Sequence, residues 1–167
     1  MPEQKIENSI TEVLTGNAQK NALEFASFLR ESEMQFERGK GYWENKHYWM
    51  IKYKGEYVCF ILAGSEKKIE PESWIIWADD SDSNWFANFP LDKHMKEIVW
   101  KNVDICVNCG GCKYRKNPGG TRKMIFGKEF NNVCITTMSF TNPDAETLEC
   151  IKKIVEIRKN DIFMNCD

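Results

Sequence analysis

Three cysteines stand at two-residue spacing in CVNCGGC, residues 106–112, and the basic, glycine-closed stretch KYRKNPGG follows them. Thiolates spaced in this way converge on one soft ion, while backbone N–H groups turn towards the sulfurs and glycine permits the tight backbone. Structural zinc takes four such ligands in a tetrahedron. Cys106, Cys109 and Cys112 supply three, and Cys134 is the natural fourth, because Gly119-Gly120 and a strand can return the chain to the site. His47, His94 and Cys150 are substitutes for it. A structural zinc site is therefore the leading expectation for this loop.

The same spacing opens a ferredoxin-type iron–sulfur run, whose fourth cysteine lies three residues further on, before a proline. Lys116 occupies that position here and the proline is Pro118, which disfavours a cluster. A dithiol cycling as a disulfide is a further chemistry, but the strand-to-helix setting of a thioredoxin-like site is missing. Without metal, the three are free thiols in a loop, and Cys59 and Cys150 read as small buried apolar residues.

Other candidate groups are weaker. Arg115 and Arg122 flank Gly119-Gly120 and could hold an anion, though no glycine-rich phosphate motif is matched and solvated basic loops are common. In DDSDSNWFANF, Asp80, Asp82 and Asn84 fill positions one, three and five of a calcium loop. Trp85 and Leu91 then stand where glycine and a bidentate glutamate are required, so the stretch reads as a polar turn. Trp43, Tyr48, Trp49, Trp74 and Trp77 lie in or beside adjacent strand candidates. With Glu33 they are expected to line a surface or pocket for a small organic ligand, apolar or cationic, or for a protein partner. Packing of large rings into the core is the competing account. No serine nucleophile elbow and no H-E-x-x-H is present. The reading leans away from an enzyme, with a small redox enzyme using the Cys106, Cys109 and Cys112 thiols or an iron–sulfur centre as the alternative.

The elements that must position these residues follow from apolar spacing. Ile6, Ile10, Val13 and Leu14 fall on one helical face, Thr15-Gly16-Asn17 separates a second helix, and Ala22, Phe25, Ala26 and Leu29 carry that helix towards Phe36. Two strands flank a Lys54-Gly55 turn, with Trp49, Ile51 and Tyr53 on one face. SWIIWA, residues 73–78, is a further strand, and LDKHMKEIVW, residues 91–100, is helical. RKMIFG and VCITTMSF read as the last two strands. The final helix is capped by Asn142, has Pro143 where a missing N–H costs nothing, and buries Leu148, Ile151, Ile154 and Val155. The expected fold is α+β: N-terminal helices, a central, mainly antiparallel sheet and a C-terminal helix, with the cysteine-rich loop between strands. No linker or repeat divides the chain, so a single domain over 1–167 is expected.

Composition narrows the classes of function. The chain has 42% hydrophobic and 29% charged residues, ordinary for a globular protein, and an aromatic share of 13% that is high. A net charge of −2 argues against a nucleic-acid binder. No apolar run is long enough to span a membrane, and the first residues lack the apolar segment of an export signal. Seven cysteines, an odd number, then suggest a reducing, cytoplasmic setting in which clustered thiols mean metal or redox chemistry.

The phrases GYWENKHYWMIKYKGEYVCFIL, CVNCGGC, IFGKEFNNVCITTMSFTNPD and ECIKKIVEIRKND together resemble a family of small proteins from clostridia-like bacteria, over most of the chain. That resemblance implies no particular activity. More distantly, helices around a short antiparallel sheet with aromatic strands are similar to the effector-binding domains of some bacterial regulators. This implies, at the level of fold alone, a stand-alone ligand binder.

Overall fold

Ile6, Ile10 and Val13 form the buried stripe of helix α1, Ile6–Val13. Leu14 is extended and ends it, and Gly16, at φ 57°, opens helix α2, Gly16–Glu31. The computed structural model describes residues 5–40, 46–65, 72–78, 85–110, 112 and 119–165. In it α2 stops well short of Phe36, contrary to the apolar spacing. Glu33 adopts a left-handed φ of 65°, its N–H donates to Arg30 O, and the Met34 N–H donates to Leu29 O at 3.1 Å. These two bonds satisfy orphan carbonyls of the last turn and release the chain into strand β1, Gln35–Arg38.

Strands β2, His47–Tyr53, and β3, Glu56–Ala63, pair antiparallel across Lys54 and Gly55, whose φ values of 49° and 83° make the tight hairpin turn expected there. Strand β4, Trp74–Ala78, follows. Helix α3, Lys93–Lys101, is capped by Asp92, whose side chain accepts the Met95 N–H at 2.9 Å. Then come β5, Val103–Ile105; β6, Thr121–Ile125; and β7, Lys128–Thr141. Helix α4, Ala145–Asn165, completes an α+β fold of seven strands paired in the order β1-β2-β3-β4-β7-β5, with β6 also on β7. Three-residue β5 is too short to show a pattern in sequence and was not expected.

The chain gathers into two compact units, Met1–Trp77 with Phe140–Asp167, and Ala78–Ser139. In the first, one sheet face carries the helices. The Trp49 indole N–H donates to Ser9 Oγ of α1 at 3.0 Å, both groups being buried, and Phe25 of α2 meets Trp74 with ring centroids 6.3 Å apart. Leu148, Ile151, Ile154 and Val155 are the buried stripe of α4, as the spacing predicts. Buried Arg158 on the same helix donates to Tyr57 O at 3.1 Å and to Asp161 Oδ2 at 3.1 Å. The cap of α4 differs from expectation: Asp144, not Asn142, accepts the Thr147 N–H, at 2.8 Å. Asn142 instead pairs twice with Trp74, accepting its N–H on Oδ1 and donating its own N–H to Trp74 O.

In the second unit Phe86, Val99, Ile125, Phe126, Val133 and Met138 are buried together with Trp85. The turn at Phe126 and Gly127 is held by N–H bonds to Phe86 O and Ala87 O, and the Trp100 indole reaches Ile125 O at 2.8 Å.

Replacing Ser9 by Ala leaves the buried Trp49 N–H without its acceptor. We expect a loss of about 1–3 kcal/mol in urea unfolding. The double variant Ser9→Ala, Trp49→Phe should show a coupling of the two sites in a double-mutant cycle, and strict additivity would count against the bond.

Candidate functional site

Strand β7 holds the cysteine loop at both ends. Ile105, the last residue of β5, and Thr121, the first of β6, are both opposite Val133. One residue earlier on β7, Asn132 accepts the Cys106 N–H on its carbonyl at 2.8 Å and donates from Nδ2 to Cys106 O at 3.2 Å. At the far end Gly120 passes so close to Asn132 that a Cβ on it would lie 2.1 Å from Oδ1 and 2.6 Å from the carbonyl carbon. Residues 106–120 therefore leave and rejoin the fold at a single point.

Inside the loop two sulfurs accept backbone hydrogen bonds. The Asn108 N–H points to Cys106 Sγ at 3.4 Å, and the Gly119 N–H to Cys112 Sγ at 3.1 Å. The Cys106 thiol also faces Asn108 Oδ1 at 3.7 Å. Left-handed φ values at Asn108, Gly110 and Gly119, of 55°, 82° and 88°, curl the backbone around these sulfurs. Glycine takes such angles without cost, and Asn is the side chain that tolerates them best. Arg115 lies outside the described residues.

Cys106 and Cys112 are half-buried, Cys109 is exposed and Cys134 is half-buried on β7; all described cysteines are free. Among the described residues no three His, Cys, Asp or Glu side chains gather closely enough to hold an ion. The proposed fourth-ligand substitutes have other settings. Cys150 is buried in α4, and His47 at the start of β2 lies 3.9 Å from Glu12 Oε2. Its Nδ1 is shut from solvent with no hydrogen-bond partner. Burial, then the nearby Arg38 guanidinium, hold the His47 pKa below its ordinary value, while Glu12 opposes them. Burial pushes the Cys59 thiol well above the ordinary cysteine range, as suits an inert core residue.

The aromatic residues do not share one surface, because neighbours on a strand point to opposite faces. Trp49 and Trp74, 3% and 1% exposed, are core residues under the helices. Tyr48 and Trp77, on the other face, are half-buried with ring centroids 6.3 Å apart. The hairpin register brings two residues to this face that the sequence reading missed. Phe60 lies 6.0 Å from Tyr48, and Tyr57 lies 5.3 Å from Phe60, making a row of four rings across three strands. Pairing Tyr48 with Leu62 across the hairpin would have pointed to Phe60, two residues away. Trp43 lies outside the described residues, as do Asp80, Asp82 and Asn84. Glu33 serves as the left-handed residue closing α2, and its carboxylate lies 3.9 Å from Lys159 Nζ. Arg122 is exposed, and Glu129 Oε1 lies 2.9 Å from its Nε and Asn131 Oδ1 3.2 Å away.

Two outcomes follow from this geometry. Gly120→Ala forces Asn132 backbone atoms aside, and we expect a loss of about 1–3 kcal/mol in chemical unfolding; wild-type stability would mean that the two segments do not meet. For His47 the lowered pKa makes protonation unfavourable to the fold. Its contribution is complete above about pH 6.5, the usual histidine value, and is lost as pH falls through the lowered one. His47→Gln should flatten the stability profile in that acidic window, and an unchanged slope would exclude the residue as its source.

Set beside protein-family models, curated proteins and solved structures, the chain matches none of them.

Proposed function

We propose that residues 106–120 form a structural zinc loop in a small, cytoplasmic, non-enzymatic binding protein. The observation that supports this is the pair of backbone N–H bonds to Cys106 Sγ and Cys112 Sγ. Amide N–H groups turned towards the sulfurs are the kind of outer-shell contact that orients the ligands of a metal site. Cys109, exposed between them, is the third ligand, and Cys134, two residues beyond Asn132 on β7, the fourth. Closing the loop on the ion couples metal binding to the order of the segment. On this reading the row of Tyr57, Phe60, Tyr48 and Trp77 takes a small organic ligand or a protein partner by ring contact.

One feature favours a second reading, a small redox enzyme. Cys109 is open to solvent while Cys112 is half-buried, the difference in exposure that suits an attacking and a resolving thiol. In that case a substrate disulfide is reduced to two thiols as the protein pair becomes a disulfide.

The test is metal content per chain on untagged protein, with a visible spectrum of the same sample. About one zinc per chain without colour is the expected result. Cys109→Ser should then drop the zinc content well below one and lower the melting temperature by several degrees, as should a chelator. Iron with a brown spectrum, or no metal with rapid alkylation of Cys109, would favour the redox reading.

A further inference from the structure

Strand β7 contains more residues than its pairing with β5 requires. Val103 of β5 lies opposite Met138 and Ile105 opposite Val133, so two steps along β5 span five along β7. The surplus falls in a large bulge, Cys134 to Thr137, whose flanking residues Val133 and Met138 are fully buried.

This bulge is strained. Thr137 sits in it at φ 50° with no exposed surface. A β-branched residue rarely takes such an angle, because its Cβ crowds the following carbonyl. Strain of this kind persists only where the surroundings over-determine it.

Three contacts do so here. Lys123 of β6 donates from Nζ to Cys134 O at 3.2 Å and to Thr137 Oγ1 at 2.8 Å, one group at each end of the bulge. Asp104, between the two β5 partners, accepts the Thr136 hydroxyl. The reach of Lys123 shows how far the backbone bends. In the β6–β7 register it stands opposite Phe130, and seven extended residues would carry Thr137 about 23 Å further on. A single lysine side chain meets Thr137 only because the strand folds back towards β6, with a left-handed φ at Asn132 as well.

Bulges re-aim a side chain that regular pleating would place elsewhere. The residue opening this one is Cys134, half-buried and two residues past the Asn132 anchor of the cysteine loop. Fixing the Cys134 carbonyl fixes one side of its Cα, and so limits where the sulfur can lie.

We propose that Lys123 is a positioning residue: its ammonium ties the two ends of the bulge together, and the bent strand holds Cys134 where it completes the ion site with Cys106, Cys109 and Cys112. The inference rests on the zinc reading of the loop and adds to it a residue that does not touch the metal. With an apolar side chain at 123, β7 relaxes out of the strained turn and Cys134 swings away, while the three loop cysteines keep their spacing.

The test replaces zinc by cobalt(II) in the full chain, because the visible spectrum of that ion reports how many thiolates surround it. Cys134→Ser sets the three-thiolate spectrum. Lys123→Met should give that spectrum in place of the wild-type one and weaken cobalt binding by about tenfold or more. Lys123→Arg keeps a charged donor and should restore most of both. Thr137 supplies further variants if Lys123→Met does not fold. Thr137→Val loses the hydroxyl, keeps the strain and should follow Lys123→Met. Thr137→Gly takes the same angle without cost and leaves Lys123 on Cys134 O, so it should keep the wild-type spectrum. Wild-type spectra and affinity from Lys123→Met and Thr137→Val, beside a changed spectrum from Cys134→Ser, would overturn the inference and leave the zinc reading standing. A wild-type spectrum from Cys134→Ser would remove Cys134 as a ligand, and no cobalt uptake by the unaltered protein would remove the zinc reading; either result takes this inference with it.

Discussion

Everything about the cysteine loop depends on one residue of β7. Asn132 bonds Cys106 through both its backbone and its side chain, and it leaves room for nothing larger than glycine at position 120. Its own left-handed φ of 58° turns the strand at this point, one residue before Val133 takes β5 and β6 on either side. A loop anchored at one point confines its three thiols to a small volume whatever its interior does. The two sulfur-directed N–H groups lie just inside each end, next to the anchor.

Much of the fold was legible because long apolar patterns dominate it. The stripe of α4, the two helices split at Thr15-Gly16, and the Lys54-Gly55 hairpin all rest on signals repeated over several residues. Misreadings arose where a local preference met a longer-range contact. Apolar spacing carried α2 on to Phe36, but pairing of β1 with β2 takes that residue into the sheet. Asn142 has the right chemistry for a helix cap, yet Trp74 claims both its side chain and its backbone, and the cap passes to Asp144.

The candidate site was legible to a lesser extent. Cysteine spacing and the neighbouring glycines identify the loop, whereas Asn132 stands far along the chain and carries no motif. The aromatic residues were visible as a group, but their sorting required strand phase. One residue of phase separates Tyr48 from Trp49, and so a half-buried ring of the outer row from a core ring bonded to Ser9. A polar cleft in the first unit left no trace in sequence, because its walls come from the start of α2, the start of β4 and the turn between β7 and α4.

Arg158 adds a consequence for how the hairpin reaches its pairing. The β2–β3 register shifts between Ile51 and Lys52, beside the stretch containing Tyr57, and the Tyr57 carbonyl is the one the buried guanidinium takes. Sliding β3 by a single step would carry that carbonyl away and leave the buried guanidinium with Asp161 alone. The helix and the hairpin alignment are thereby coupled: the full set of Arg158 bonds is available only when β3 presents Tyr57 at this point.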